Sequence, residues 1–377
     1  MILPSISRWT ALHGAKVLVR VDFNCPVSGE DAGRRVTDDF RIRAALPLLR
    51  ELKNAGASVT VCTHFGRPAG RPDERYSVEP VRRRLNELIE GVELLENLRF
   101  HPGEESNDPS FGTELVRGYD FYVNEAFGAS HRAHASIMVP PTLVPSAAGP
   151  NLVREVDAIS TALESPKRPL VAIVGGAKVK DKLGIVKSLV DRADTVIVGG
   201  GMAYTFSVAL GRKIGDSLFD ANFVEDCAIL LETGKVLIPI DGWALPTGTP
   251  FGSGDGGVAP TRFEHDVPDG WQGLDIGPST ADLFAQSISQ AGTLLWNGPM
   301  GVFEDPRFRS GTERVARAVA SSDAYSIVGG GDSVAAIQMF GLEDQVSFVS
   351  TGGGASLELV EFGDLPGLRA LRESPWN

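Results

Sequence analysis

The chain of 377 residues contains no run of twenty apolar residues, so it offers no segment for a membrane-spanning helix. Its opening, MILPSISRWTALHGAK, lacks the charged start and long apolar core of a secretion signal, and a soluble cytoplasmic protein is expected. Cysteine is scarce. Cys25, Cys62 and Cys227 are far apart, with no CxxC pair and no Cys/His cluster, which argues against zinc and leaves reduced structural thiols. The Walker sequence GxxxxGK[ST] is missing, as is the protein-kinase motif set. Lysine is nearly missing from the first 150 residues, where 18 Lys+Arg, almost all arginine, stand against 19 Asp+Glu; the remainder holds 18 against 29. The net charge of −12 argues against nucleic acid as a partner and is explained by solubility. The arginine bias says more, because a planar guanidinium matches phosphate and carboxylate better than an ammonium does.

What is present is a repeated unit. An apolar run, Lys16 to Val21, leads into Asp22-Phe23-Asn24-Cys25-Pro26, and a helical stretch follows from Asp38 to Ala55. A second run, Ser58 to Cys62, ends in Thr63-His64-Phe65-Gly66-Arg67-Pro68, followed by a helix pattern over Val78 to Ile89. Strands are also expected over Val92 to Leu95 and Tyr119 to Val123, ahead of ENLRF and NEAFGASHRAHAS. Strand, polar tip and helix in alternation predict a parallel sheet covered by helices, with ligands at the strand tips. The length favours two domains, and the helix candidate Asn151 to Glu164, closed by Ser165-Pro166, is placed as their connection.

The second half centres on LVAIVGGAKVKDK, Leu170 to Lys182, read as strand, turn and a helix from Ala177 onward. Three lysines at a helix N-terminus oppose the helix dipole, a conflict that an anionic ligand removes. Further apolar runs end in glycines at VIVGGG, SIVGGG and SFVSTGGG, with TLLWNGP as a variant, which predicts a rim of exposed backbone N–H groups suited to phosphate or nucleotide. Gly252, Gly254 and Gly257 match GxGxxG, but Trp243 to Asp269 reads as a long surface excursion without the strand and helix that a dinucleotide fingerprint requires. That context disfavours a nicotinamide-dependent dehydrogenase; a metabolite sensor on the same fold remains a rival distinguishable only by residues.

Taken together, VLVRVDFNCP, THFGRP, LENLRF, AFGASHRAH, VGGAKVKDK, VGGGMAYTF, LWNGPMGVFE, GGGDS and STGGGASLELV resemble, in order and over essentially the whole chain, the phosphoglycerate kinase family. Glu125 stands where the family usually has Asp. The resemblance implies an α/β fold of two Rossmann-like domains, each a parallel sheet flanked by helices, with a central cleft and a hinge helix. Its divisions would be residues 1–150 for phosphoglycerate, 151–165 for the hinge, 166–356 for nucleotide, and 357–377 returning to the first domain. It implies reversible phosphoryl transfer from 1,3-bisphosphoglycerate to ADP, giving 3-phosphoglycerate and Mg-ATP, by a cytoplasmic monomer.

Asp22, Phe23, Asn24, Arg41, His64, Phe65, Gly66, Arg67, Arg99 and Arg132 would hold the phosphoglycerate. Lys178, Lys182, Gly199, Gly200, Gly273, Asn297, Pro299, Glu304, Gly330, Gly331, Asp332 and Ser333 would hold the nucleotide, with Asp332 toward Mg²⁺. Arg41, Lys178, Lys182 and Gly353 would serve the transfer itself. In-line exchange between an acyl phosphate and a nucleotide oxygen needs positioning and charge neutralisation; it needs no covalent intermediate and no general base.

Overall fold

The computed structural model describes residues 1–30, 33–252 and 257–376. The chain divides into two compact units, Met1–Asp157 with Asp364–Asn377, and Ala158–Gly363. The first division falls inside the continuous helix Pro150–Glu164, and the second lies at 363/364 where the sequence suggested 357. No helix among the described residues is long and apolar enough to cross a membrane.

The first unit is built on a five-stranded parallel sheet. Its strands are β1 (Lys16–Arg20), β2 (Ser58–Cys62), β3 (Glu93–Leu94), β4 (Phe121–Asn124) and β5 (Ser146–Ala148), in the order β3-β2-β1-β4-β5. The run Val17-Leu18-Val19 is wholly buried because both faces of β1 are covered. Val17 and Val19 join the core containing Ile42, Leu49 and Leu52 of the helix Phe40–Asn54. Leu18, pointing the other way, packs with Cys62, Leu98, Leu115 and Tyr122. The order reverses between β1 and β4, and the crevice at such a switch point is where an open α/β sheet takes its ligand.

The second unit repeats the plan with a six-stranded parallel sheet. Its first strands are β6 (Leu170–Val174), β7 (Thr195–Val198) and β8 (Val236–Leu237). Three more follow, β9 (Asp241–Pro246), β10 (Thr261–Glu264) and β11 (Trp271–Ile276), which form a separate antiparallel sheet in the order β10-β9-β11. The main sheet then continues with β12 (Thr293–Asn297), β13 (Tyr325–Gly329) and β14 (Phe348–Val349), in the order β8-β7-β6-β12-β13-β14. The antiparallel sheet corrects the expectation of a surface excursion over Trp243 to Asp269. Ala244, Leu245 and Val267 are buried, so apolar residues too sparse to show a period still find a core. A strand therefore does precede the GxGxxG match, but it is antiparallel and β10 follows instead of a helix; Gly254 itself lies outside the described residues.

A second correction concerns the central stretch. After Gly176 the chain makes a 3-10 turn, Val179–Asp181, and the α-helix begins only at Leu183 with Lys182 as its N-cap. The remaining chain end, with the helix Pro366–Arg372, belongs to the first unit: Leu365, Leu368 and Leu371 are fully buried, and the Gly367 N–H donates to the Ser130 carbonyl at 2.8 Å.

Candidate active site

The strand tips of the first unit gather cations around one carboxylate. Asp22, just beyond β1, forms an ion pair with Arg41 in the first turn of the helix Phe40–Asn54, and its Oδ1 lies 4.0 Å from Nε2 of His64, beyond β2. Burial works to raise the Asp22 carboxyl, but the neighbouring His64 ring, Arg41, Arg20 and the Asn24 N–H together outweigh this and hold it ionised well below the usual range. His64 is pushed down by burial and by Arg20, Arg99 and Arg132, against the pull of Asp22, and so is neutral at physiological pH. Arg99 is buried, donates from Nη1 to the Gly66 carbonyl at 2.6 Å and pairs with Glu105 at 3.1 Å; Arg132 donates to Nε2 of His131 at 3.1 Å. Arg67 is exposed, with no ion pair among the described residues.

Several expected site residues shape this cluster from beneath. Phe23 and Phe65 are core side chains, and their N–H groups are committed to Thr63 Oγ1 at 2.9 Å and Asn97 Oδ1 at 3.0 Å. Asn24 receives the Gly66 N–H at 2.9 Å, which ties the two loops together. Gly66 has φ +59°, and a β-carbon there would run into the Tyr76 ring, so this turn demands glycine.

In the second unit, a cleft of about 350 Å³ is lined by Gly200, Tyr204, Gly273, Pro299, Glu304 and Asp332, among others. A β-carbon on Gly273 would collide with the Tyr204 hydroxyl, and the Gly273 N–H donates to Ser217 Oγ at 2.9 Å. Lys178 is exposed, whereas Lys182 turns inward to donate to Gly175 O at 2.5 Å and Asn297 Oδ1 at 2.7 Å. Burial lowers the Lys182 amine to about 8, against Asp332 and Asp181.

The expected rim of free N–H groups fails at several of the glycine-rich ends. Those of Gly175, Gly199 and Gly200 are spent on Asn297 O, Val174 O and Met300 O, and that of Gly298 on Ser333 Oγ. Their glycines serve close packing: a β-carbon on Gly175 would strike the Pro299 carbonyl, and one on Gly199 the Met300 sulfur. By contrast, Gly331 and Gly353, at the starts of the helices Gly331–Met339 and Gly354–Phe362, have open space where a β-carbon would point. Those two helix starts leave the room that an anion at a helix N-terminus needs. The Ser333 hydroxyl proton is committed, donating to Gly329 O at 2.8 Å, and Asn297 donates to the same carbonyl at 2.8 Å. Gly330, with φ +88°, leaves room for that Asn297 amide.

Asp332 is exposed in the first turn of its helix, and no cluster of three or more His, Cys, Asp or Glu able to hold a metal exists among the described residues. A single carboxylate is a donor set that fits Mg²⁺ where phosphate oxygens and water complete the shell. Two buried groups escaped the sequence reading. Asp275 lines the cleft of the second unit with its Oδ1 unpartnered, and burial raises it to about 7. Arg20 is fully buried at the end of β1, and the only signal for it was a cation interrupting KVLVRV.

The family model for phosphoglycerate kinase matches residues 8–362. The chain belongs to the phosphoglycerate kinase family. It is 49% identical to the phosphoglycerate kinase of Rubrobacter xylanophilus, covering 96% of each chain, and 44% identical to that of Herpetosiphon aurantiacus, covering 97% of this chain and 98% of the relative. Among solved structures, phosphoglycerate kinase from Coxiella burnetii superposes with a TM-score of 0.88 at 36% identity, covering 99% of each chain. The enzyme from Pyrococcus horikoshii gives 0.83 at 30%, also covering 99% of each. Membership makes the chain a glycolytic phosphotransferase that acts on a carboxyl group.

Proposed function

We propose that the strand-tip cluster of the first unit binds 3-phosphoglycerate or 1,3-bisphosphoglycerate and that the cleft of the second binds ADP or ATP with Mg²⁺. The observation that carries this reading is Asp22 paired with Arg41 beside a His64 ring that Arg20, Arg99 and Arg132 also face, more positive charge than one carboxylate requires. Asp22 and Asn24 present oxygens for the glycerate hydroxyl. The guanidiniums, with Arg67 free to join them, neutralise the phosphate that is not transferred.

On the nucleotide side, Glu304 is exposed at the cleft edge for the ribose hydroxyls, and Gly273 offers backbone near the base. The open helix starts at Gly330–Gly331 and Gly353 receive phosphate oxygens, with Asp332 as the protein ligand of Mg²⁺. The metal, when bound, neutralises phosphate charge. Lys178 and Arg41 stabilise charge on the transferring group, while Lys182 and Asn297 hold the turns that present it. Acceptor oxygens on carboxylate and ADP are already ionised, so no residue is asked to move a proton. All these residues come from one chain, and the reading needs no second copy; it describes a cytoplasmic monomer. ATP consumption that depends on both 3-phosphoglycerate and Mg²⁺ is the expected result, and consumption indifferent to 3-phosphoglycerate would refute it.

A further inference from the structure

Beneath the strand-tip cluster lies a polar network that touches no solvent. Arg20, Glu104, Ser136 and Tyr122 are all fully buried. Arg20 Nε donates to Ser136 Oγ at 2.9 Å, and Nη1 donates to the Val21 carbonyl. Ser136 Oγ in turn donates to Glu104 Oε1 at 2.7 Å, while the Ser136 N–H donates to Glu104 Oε2 at 2.9 Å. The Tyr122 hydroxyl donates to the Ser136 carbonyl at 2.7 Å and pins the segment. A buried guanidinium is tolerated only when its charge and its donors are matched, and Glu104 supplies the charge, its Oε1 4.0 Å from Arg20 Nη2, with Ser136 bridging the two.

The remaining arm of Arg20 reaches the site. Nη2 lies 3.2 Å from Nδ1 of His64. A guanidinium has no acceptor, so Nδ1 must accept and the single ring proton of neutral His64 must sit on Nε2. Nε2 is the nitrogen on the Asp22 side of the ring. We propose that Arg20 is a positioning residue that fixes His64 as an uncharged Nε2–H donor facing the phosphoglycerate cluster; this rests on the reading of that cluster given above. His64 then contributes one directed hydrogen bond and no charge, and the cationic work falls to the arginines. The groups that face His64 are Asp22 from the loop after β1, Arg20 from β1, Arg99 from the segment after β3 and Arg132 from the segment after β4. Three of the four are cations, and they oppose a second proton on the ring.

Nitrogen-15 NMR of the histidine rings in the full chain tests this without any ligand. In the unaltered protein, His64 is expected to show an unprotonated Nδ1 and a protonated Nε2, unchanged across roughly pH 5.5 to 8, the window in which an ordinary histidine titrates. Arg20→Met is expected to mix the tautomers and bring His64 into that window. Its KM for 3-phosphoglycerate should rise about tenfold, the scale of one hydrogen bond to a charged group, and become pH-dependent, with the KM for ADP unchanged. If Arg20→Met does not fold, Ser136→Ala, which frees the Nε end of the guanidinium, should shift the tautomers in the same direction. A proton on Nδ1 in the unaltered protein, or a tautomer indifferent to whichever of these variants folds, overturns the proposal. Failure of the phosphoglycerate reading would appear separately, as absence of turnover with an intact Nε2–H signature.

Discussion

Lys182 and Asn297 are bound side chain to side chain, Nζ to Oδ1 at 2.7 Å, with the same Nζ held by the Gly175 carbonyl at 2.5 Å. The ammonium thus ties the turn after β6 to the turn after β12, at the point where the strand order of the second sheet reverses. Lys178, four residues earlier, is exposed and carries no such task. The two lysines should fail differently. Lys178→Ala is expected to lower kcat by roughly two to three orders of magnitude, the scale of losing one transition-state donor. Its stability should change by no more than about 0.5 kcal/mol. Lys182→Met strips a donor from two partly buried oxygens and should cost about 1–3 kcal/mol in urea unfolding, whatever it does to rate. Near-normal turnover in Lys178→Ala would remove that residue from the transfer step.

Glu125 gives a pH prediction. Burial raises its carboxyl from 4.5 to about 8, against the hydrogen bonds and charge of Leu152, Asn151 and Arg154. The unfolded carboxyl loses its proton above about 4.5 while the folded one keeps it to about 8, so the folded state binds more protons in between. This residue's contribution therefore declines as pH rises through that window and levels off beyond it. Unfolding midpoints of Glu125→Gln should lack this decline, and parallel pH curves for the two proteins would contradict the assignment.

Glycine substitutions should separate packing from binding. Gly175→Ala drives a β-carbon into the Pro299 carbonyl and is expected to destabilise the second unit by several kcal/mol, on the order of a severe core clash. Gly331→Ala has open space and an ordinary φ, so its melting temperature should hold while its KM for ADP rises. A lowered melting temperature in Gly331→Ala, or an unmoved KM, would count against the open helix start as a phosphate site.

The proposed phosphoglycerate residues all belong to one compact unit and the nucleotide residues to the other, whereas in-line transfer needs reacting atoms about 3 to 3.5 Å apart. Binding both ligands should therefore draw the units together about the helix Pro150–Glu164. Small-angle scattering is expected to show a smaller radius of gyration with both ligands present and little change with either alone. An unchanged radius in an enzyme that is turning over would exclude closure as a required step.

The sequence by itself determined the parallel sheets. Runs such as Val17-Leu18-Val19 and Leu170–Val174 are apolar at every position because helices cover both faces, and a polar tip follows each. It also supplied the polar groups of the site, since local spacing alone puts Asp22 and Asn24 beyond β1 and His64 and Arg67 beyond β2. Tertiary structure decided which of those groups are free. Lys178 and Lys182 look alike in VGGAKVKDK, and only the approach of Asn297, more than a hundred residues away, takes one of them out of solvent. Gly199 and Gly331 are both glycines at strand ends, yet Met300 fills the space beside one and nothing fills it beside the other. Arg20 and Glu104 needed the fold for the same reason. A buried charge is recognisable only by its partner, and partners joined across distant stretches of chain leave no period in the sequence.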